Sequence, residues 1–188
     1  RDLAHDIYFG MRVGDSSHWL TAPASVGYVQ ESHIIEATET RGGVEATSYF
    51  FAPFGYSGNA MVMLLKVTNK NATSVNLSLF AKANMKLGAG RVDPDGKGEN
   101  IIWQLVPFPH GVETGMGGGH VVYTPTDGFD AVQCGEDAYL YQQVLNGADM
   151  GAPTSCGVDD AVLVVQKNVT VAAGESAWWG QGVLFLNN

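Results

Sequence analysis

Apolar and polar residues alternate with a period of two along most of this chain, and the breaks fall on Gly, Asn, Asp and Pro. A two-residue period places successive side chains on opposite faces of an extended backbone, so it dictates strands rather than helices. Residues 7–13, 26–40, 44–52, 60–68, 75–81, 101–106, 121–123, 129–132, 162–172 and 177–186 all carry strand character. Residues 26–40 read as one long strand or a bent pair. The Arg41-Gly42-Gly43 step marks a hairpin. Residues 60–68 are apolar almost without interruption, the pattern of a strand inside a sheet and covered on both faces. Residues 53–59, 88–100 and 107–120 read as loops by their Gly, Pro and Asn content. Only residues 136–145 offer helical spacing, through Tyr139, Leu140, Gln143 and Val144. The expectation is an all-β fold, a large antiparallel β-sandwich with long loops and at most one short helix, with a closed barrel as the competing architecture.

The 188 residues suffice for a single domain, residues 1–188, which can also be a fragment of a longer chain. A net charge of −9 leaves no basic face for phosphate, which speaks against nucleic acid and against docking on anionic lipid. No apolar run reaches the length of a membrane span, so membrane insertion is not expected. The opening Arg1-Asp2-Leu3-Ala4-His5 is polar and forms no export signal, which leaves a mature exported product open. Charged residues make up only 15%, which, with an even cysteine count, points to a secreted, periplasmic or extracellular setting. There Cys134 and Cys156 can form one bridge, contributing roughly 3 kcal/mol in the chain-entropy model; two reduced thiols are the alternative. Asn71, Asn76 and Asn168 open N-x-Ser/Thr sequons, read as strand-edge residues rather than as sugar sites.

Candidate chemistry is sparse. Asp93, Asp95 and Glu99 in "RVDPDGKGEN" can offer oxygens to calcium around a Gly turn, although the spacing is not that of an EF-hand loop, and a solvated turn is the simpler reading. No other cofactor is indicated. His110, Glu113 and His120 share a glycine-rich loop without the helical spacing that holds catalytic zinc. No G-x-S-x-G nucleophile motif is present. Trp19, Trp103, Trp178 and Trp179 can present flat faces to a sugar ring or a partner, or can simply pack. Adjacent Trp178 and Trp179 must point to opposite sides of a strand, one into the core and one out.

Four segments together carry a family resemblance. "YFFAP" (49–53) ends a strand, "KVTN" (66–69) ends the next, and "SVNLSLFAKANMKLG" (74–88) follows, while "VTVAAGESAWWGQGVLFL" (169–186) closes the chain as a hairpin. This order resembles the N-terminal β-sandwich domain of bacterial glucoamylase-like and related glycoside hydrolases and phosphorylases. The resemblance implies a non-catalytic sandwich of a secreted carbohydrate-active protein that supports a helical α/α-barrel domain, and the catalytic carboxylates would belong to that barrel. Expected partners are the helical domain of the same parent or a second copy of the chain, with carbohydrate also in view. A stand-alone, self-assembling secreted or surface protein is the alternative, and a small sandwich enzyme is the third reading.

Overall fold

The computed structural model describes residues 4–85, 102–106, 111–116, 119–151 and 161–187. Thirteen strands and one helix follow in the order β1 (Ala4–Val13), β2 (Ser16–Trp19), β3 (Ser25–Tyr28), β4 (Ile35–Arg41), β5 (Val44–Phe51), β6 (Asn59–Asn69), β7 (Val75–Met85), β8 (Ile102–Val106), β9 (Gly111–Met116), β10 (Gly119–Pro125), β11 (Ala131–Glu136), α1 (Asp137–Leu145), β12 (Ala161–Val171) and β13 (Ser176–Asn187). They form a five-stranded sheet, β11-β12-β7-β1-β2, and an eight-stranded sheet, β3-β4-β5-β6-β13-β10-β9-β8. Every strand pair is antiparallel. The chain is an all-β sandwich with one short helix.

The main core lies between the sheets, where alternate residues of each strand meet. Phe9 and Met11 of β1 and Leu77 and Leu79 of β7 face Leu65 and Val67 of β6 and Trp179 of β13. The rings of Phe9 and Trp179 are tilted against each other at 6.1 Å, and Trp179 Nε1 donates to the Gly128 carbonyl at 3.1 Å, so the one polar atom of that buried side chain is satisfied.

The two sheets are stitched where β6 crosses to β7 and β12 returns to β13. Asn69, at the end of "KVTN", is fully buried. Its amide nitrogen donates to the carbonyls of Thr73, Val171 and Ala172, and its side-chain oxygen accepts from the Asn71 N–H at 2.9 Å. Its backbone pairs with Glu175 and Gly174 in the opposite turn. One side chain thus serves both inter-sheet crossings, which gives the "V-x-N" pattern a mechanical meaning.

A second, smaller core covers the outer face of the five-stranded sheet. Val162 and Val164 of β12 and Phe80 of β7 point away from the main core and are buried beneath Leu140 and Val144 of α1, together with Trp19. Leu140 and Val144 stand one turn apart and share a helix face. Asp137 places negative charge in the first turn, where the helix dipole favours it. The helix stops at Gly147, whose φ of 78° suits glycine and whose N–H bonds back to the Val144 carbonyl.

One alternative is decided and two expectations change. Residues 26–40 are the pair rather than one long strand, with β3 and β4 antiparallel across a turn. Residues 107–120 are not a continuous loop: β9 lies inside them, paired to β8 and β10, because neighbouring strands supply the ladder that glycine-rich composition argues against. The run 60–68 does lie inside a sheet, but only Met63, Leu65 and Val67 are buried, while Val62 and Leu64 on the other face are half-exposed. The strands covered on both sides are β7, where Leu77 to Asn84 are all buried, and β12, where Val162 to Val165 are.

Two buried amides test this account. Replacing Asn69 with Ala is expected to cost about 3 kcal/mol, since several backbone groups lose their partner at once. Gln181 is equally buried, but among the described residues neither of its side-chain polar atoms has a partner, so Gln181→Met is expected to change stability by less than about 1 kcal/mol or to raise it. Urea unfolding of the two variants checks the contrast.

Candidate functional site

Three surfaces present more than ordinary solvated side chains. The first is the polar margin of the helix-covered face. Lys82 of β7 points outward yet is only 2% exposed; its Nζ meets Asp137 Oδ1 at 2.5 Å and the Tyr8 hydroxyl at 3.0 Å. Asn84 donates to the other Asp137 oxygen at 3.2 Å. The ammonium also lies over the rings of Tyr8 and Tyr141. Burial alone would lower the pKa of Lys82, but hydrogen bonds to Asp137 and Tyr8 outweigh it and raise the pKa above the ordinary lysine value. Burial pushes the Tyr8 phenol up, against the opposing pull of Lys82.

Alongside, Arg12 pairs with Asp149 and donates to Ser78 Oγ and the Gly147 carbonyl. The Arg12 hydrogen bond, followed by that from Gln166, holds the Asp149 carboxyl below the usual range. A shallow groove of about 440 Å³ opens beside Arg12, lined by Asp15, Asn76, Ser78, Asn168 and Thr170. It is where two sequon asparagines come together across the β7–β12 ladder, with Thr170 donating to Asn76 at 2.8 Å. The cations on this face are already committed to carboxylates, so its chemistry is that of a clamp holding α1 on the sheet.

The second surface is the overhang of the larger sheet. Val26 pairs with Ala37 and Tyr28 with Ile35, and Ile35 in turn pairs with Phe50. Phe50 packs on the main core, so this register row faces the side on which the smaller sheet lies. The smaller sheet does not reach it: Val26 is 65% exposed, Tyr28 70% and Ile35 39%. Strand β3 is also an edge strand with all four residues exposed. Phe54 and Tyr56, in the segment after β5, are exposed as well, and that segment is tied to the β3–β4 turn by His33 Nε2 and the Ala52 carbonyl at 3.0 Å.

The third surface is the outer face of the eight-stranded sheet. Trp178 stands there 52% exposed, stacked on Tyr49 with ring centroids 5.7 Å apart and planes 25° from parallel. Lys66 lies over the indole at 5.5 Å. Burial first, then the charges of Glu36 and Glu45, push the Tyr49 phenol up.

The sequence-derived candidates fall differently across these surfaces. Trp178 and Trp179 do divide between outside and core. Trp19 is 4% exposed, stacked on Tyr141 and donating to the Tyr141 carbonyl, so its faces are taken up by packing under α1. Trp103 lies in β8 opposite Thr114. Asp93, Asp95, Glu99 and His110 lie outside the described residues; Glu113 is in β9 and His120 in β10. Among the described residues, no three His, Cys, Asp or Glu side chains gather as a metal set. Cys134 is buried in β11, and Cys156 lies outside the described residues. Tyr49 and the Lys82–Asp137–Tyr8 clamp were not anticipated; a lone lysine in an alternating strand gives no signal of its burial.

No family model matches the chain, and no curated protein matches it. Solved structures do match its fold. A bacterial glucoamylase, complexed with acarbose, aligns with 99% of this chain at a TM-score of 0.72 and 9% identity. A protein described as a kojibiose phosphorylase from the human microbiome aligns with 96% at a TM-score of 0.58 and 8% identity. The sandwich is therefore the fold that the segments around "YFFAP" and "KVTN" led one to expect. This chain spans only 27% and 22% of those two chains.

The Lys82 clamp gives a pH prediction. Both Lys82 and Tyr8 bind their protons more tightly in the folded chain, so their contribution to stability is complete below about pH 10 and is lost as pH rises through the folded values. Thermal melts are expected to fall above about pH 10. Lys82→Ala, which leaves Asp137 without its cation, is expected to cost about 3 kcal/mol at neutral pH.

Proposed function

We propose that this chain is the non-catalytic β-sandwich of a larger, exported carbohydrate-active protein, and that it docks a helical catalytic domain of the same polypeptide through the overhang of its eight-stranded sheet. The overhang carries the reading: an apolar row on the core side of a sheet, built with core-like residues and left uncovered at Val26, Tyr28 and Ile35. Contiguous apolar surface of this kind marks an interface. The occupant is argued from length, since the matching fold makes up less than a third of each neighbour. A non-catalytic role is supported by the state of the carboxylates: the largely buried Glu39 and Asp137 are each held by a cation, Arg41 and Lys82.

The isolated chain should turn over neither α- nor β-linked oligosaccharides. Turnover abolished by replacing one acidic residue would overthrow the non-catalytic reading. In the parent polypeptide, Tyr28→Ser with Ile35→Ser should split a single calorimetric unfolding transition into two. A transition that stays single, or a parent with no helical region, would favour a self-assembling module that pairs through the open edge of β3.

Export carries its own expectation, a bridge between Cys134 and Cys156. Thiol titration of the unreduced, unfolded protein should find no free thiol, and two would refute the bridge.

A further inference from the structure

We propose that the outer face of the eight-stranded sheet carries a binding site for neutral oligosaccharides, an open platform built on Trp178 and Tyr49. It lies on the opposite face from the overhang and does not depend on what docks there.

Trp178 and Tyr49 come from strands separated by β6, and the residue pairs between them explain how the rings meet. Tyr49 lies opposite Leu64, and Leu64 opposite Gly180. A methyl group on Gly180 would sit 2.5 Å from Leu64 Cδ2 and 3.0 Å from Thr126 Cγ2. The missing side chain therefore makes room for Leu64, which lies between Tyr49 and Gly180 in the ladder. An exposed tryptophan normally costs solubility; here it is held in one orientation by the stack, which reduces the entropy lost when something lands on it.

The surroundings select the ligand. On one side of the stack the floor is apolar, formed by Leu64, Val62 and Phe51, all half-exposed. On the other side runs a band of hydroxyls: Thr38 bonds Thr47 at 3.2 Å, and Thr68 bonds Ser176 at 2.8 Å. Charges at this face are largely internal, with Lys66 over the indole and Glu45 paired to Lys70 at 3.3 Å. A flat ring with an apolar face and a hydroxyl-bearing edge matches this pattern. A pyranose has both, and hydroxyl–hydroxyl contacts satisfy its edge without charge. An anionic polymer suits the face poorly: Lys66 is engaged over the indole, Lys70 is paired to Glu45, and Glu36 and Glu45 both lie near Tyr49. The open, shallow shape calls for an extended chain rather than a single sugar, which would be too little buried to bind.

The test is native electrophoresis of the purified chain in gels containing a soluble α-glucan, a soluble β-glucan or neither. Retardation by either glucan supports the platform, and the pair identifies the linkage. Trp178→Ala should weaken binding by about tenfold or more, while Trp178→Phe should retain most of it. Should Trp178→Ala fail to fold, saturating oligosaccharide should shield Trp178 of the unaltered chain from N-bromosuccinimide, read by peptide mapping at that residue. The proposal is overturned if neither glucan retards the chain, if Trp178→Ala binds as tightly as the parent sequence, or if oligosaccharide leaves Trp178 oxidation unchanged. It is also overturned if Trp178 is protected in the full polypeptide without sugar, which would make this face a protein interface.

Discussion

A sandwich needs its two sheets fixed in register as well as pressed together, and in this chain the fixing falls on Asn69. Apolar burial between sheets is non-directional, so the main core by itself allows sliding. The Asn69 amide removes that freedom by bonding backbone carbonyls of the β6–β7 turn and of the β12–β13 return simultaneously. Those two crossings join the central strands of the two sheets, β7 and β12 on one side and β6 and β13 on the other. Everything farther out, including the helix clamp, the overhang and the aromatic platform, is positioned by strands that grow outward from this pinned centre.

Strand spacing then decides where surface is left over. Neighbouring strands lie about 4.8 Å apart, so eight strands make a face roughly 14 Å wider than five. The smaller sheet cannot cover the larger one, and β3 and β4 run out beyond it with core-like residues still facing inward. At the margin the chain closes itself partly, since the buried Glu39 takes Arg41 and the Ala22 N–H. Beyond that point nothing in the described residues lies over Tyr28 or Val26. The overhang is thus a geometrical consequence of unequal sheets.

The two outer faces of the sandwich have been treated in opposite ways. The five-stranded sheet is capped by α1, with Lys82 and Arg12 bonded to Asp137 and Asp149 beneath and beside it. The eight-stranded sheet carries no such cap over Trp178, and its aromatic and aliphatic side chains stand half in water. Capping with a helix and four committed charges closes one outer face; on the other, a stacked Trp–Tyr pair is left open to water.

Period-two alternation marked most of the strands and the division of Trp178 from Trp179, because adjacent side chains on a pleated strand have no choice but to point apart, and the shortness of the links implied antiparallel pairing. Helical spacing of Leu140 and Val144 similarly marked the one helix. Partner strands were not legible. Glycine-rich residues 111–116 became β9 because β8 and β10 offered hydrogen bonds, and the apolar run of β6 proved one-sided because no second layer reached it. Trp19 disappeared beneath α1, and Lys82 was buried with Asp137, through contacts between segments far apart in sequence. The meeting of Tyr49 with Trp178 is of the same kind: local pattern tells which way a side chain points, whereas strand order and the relative width of the sheets decide what it finds there.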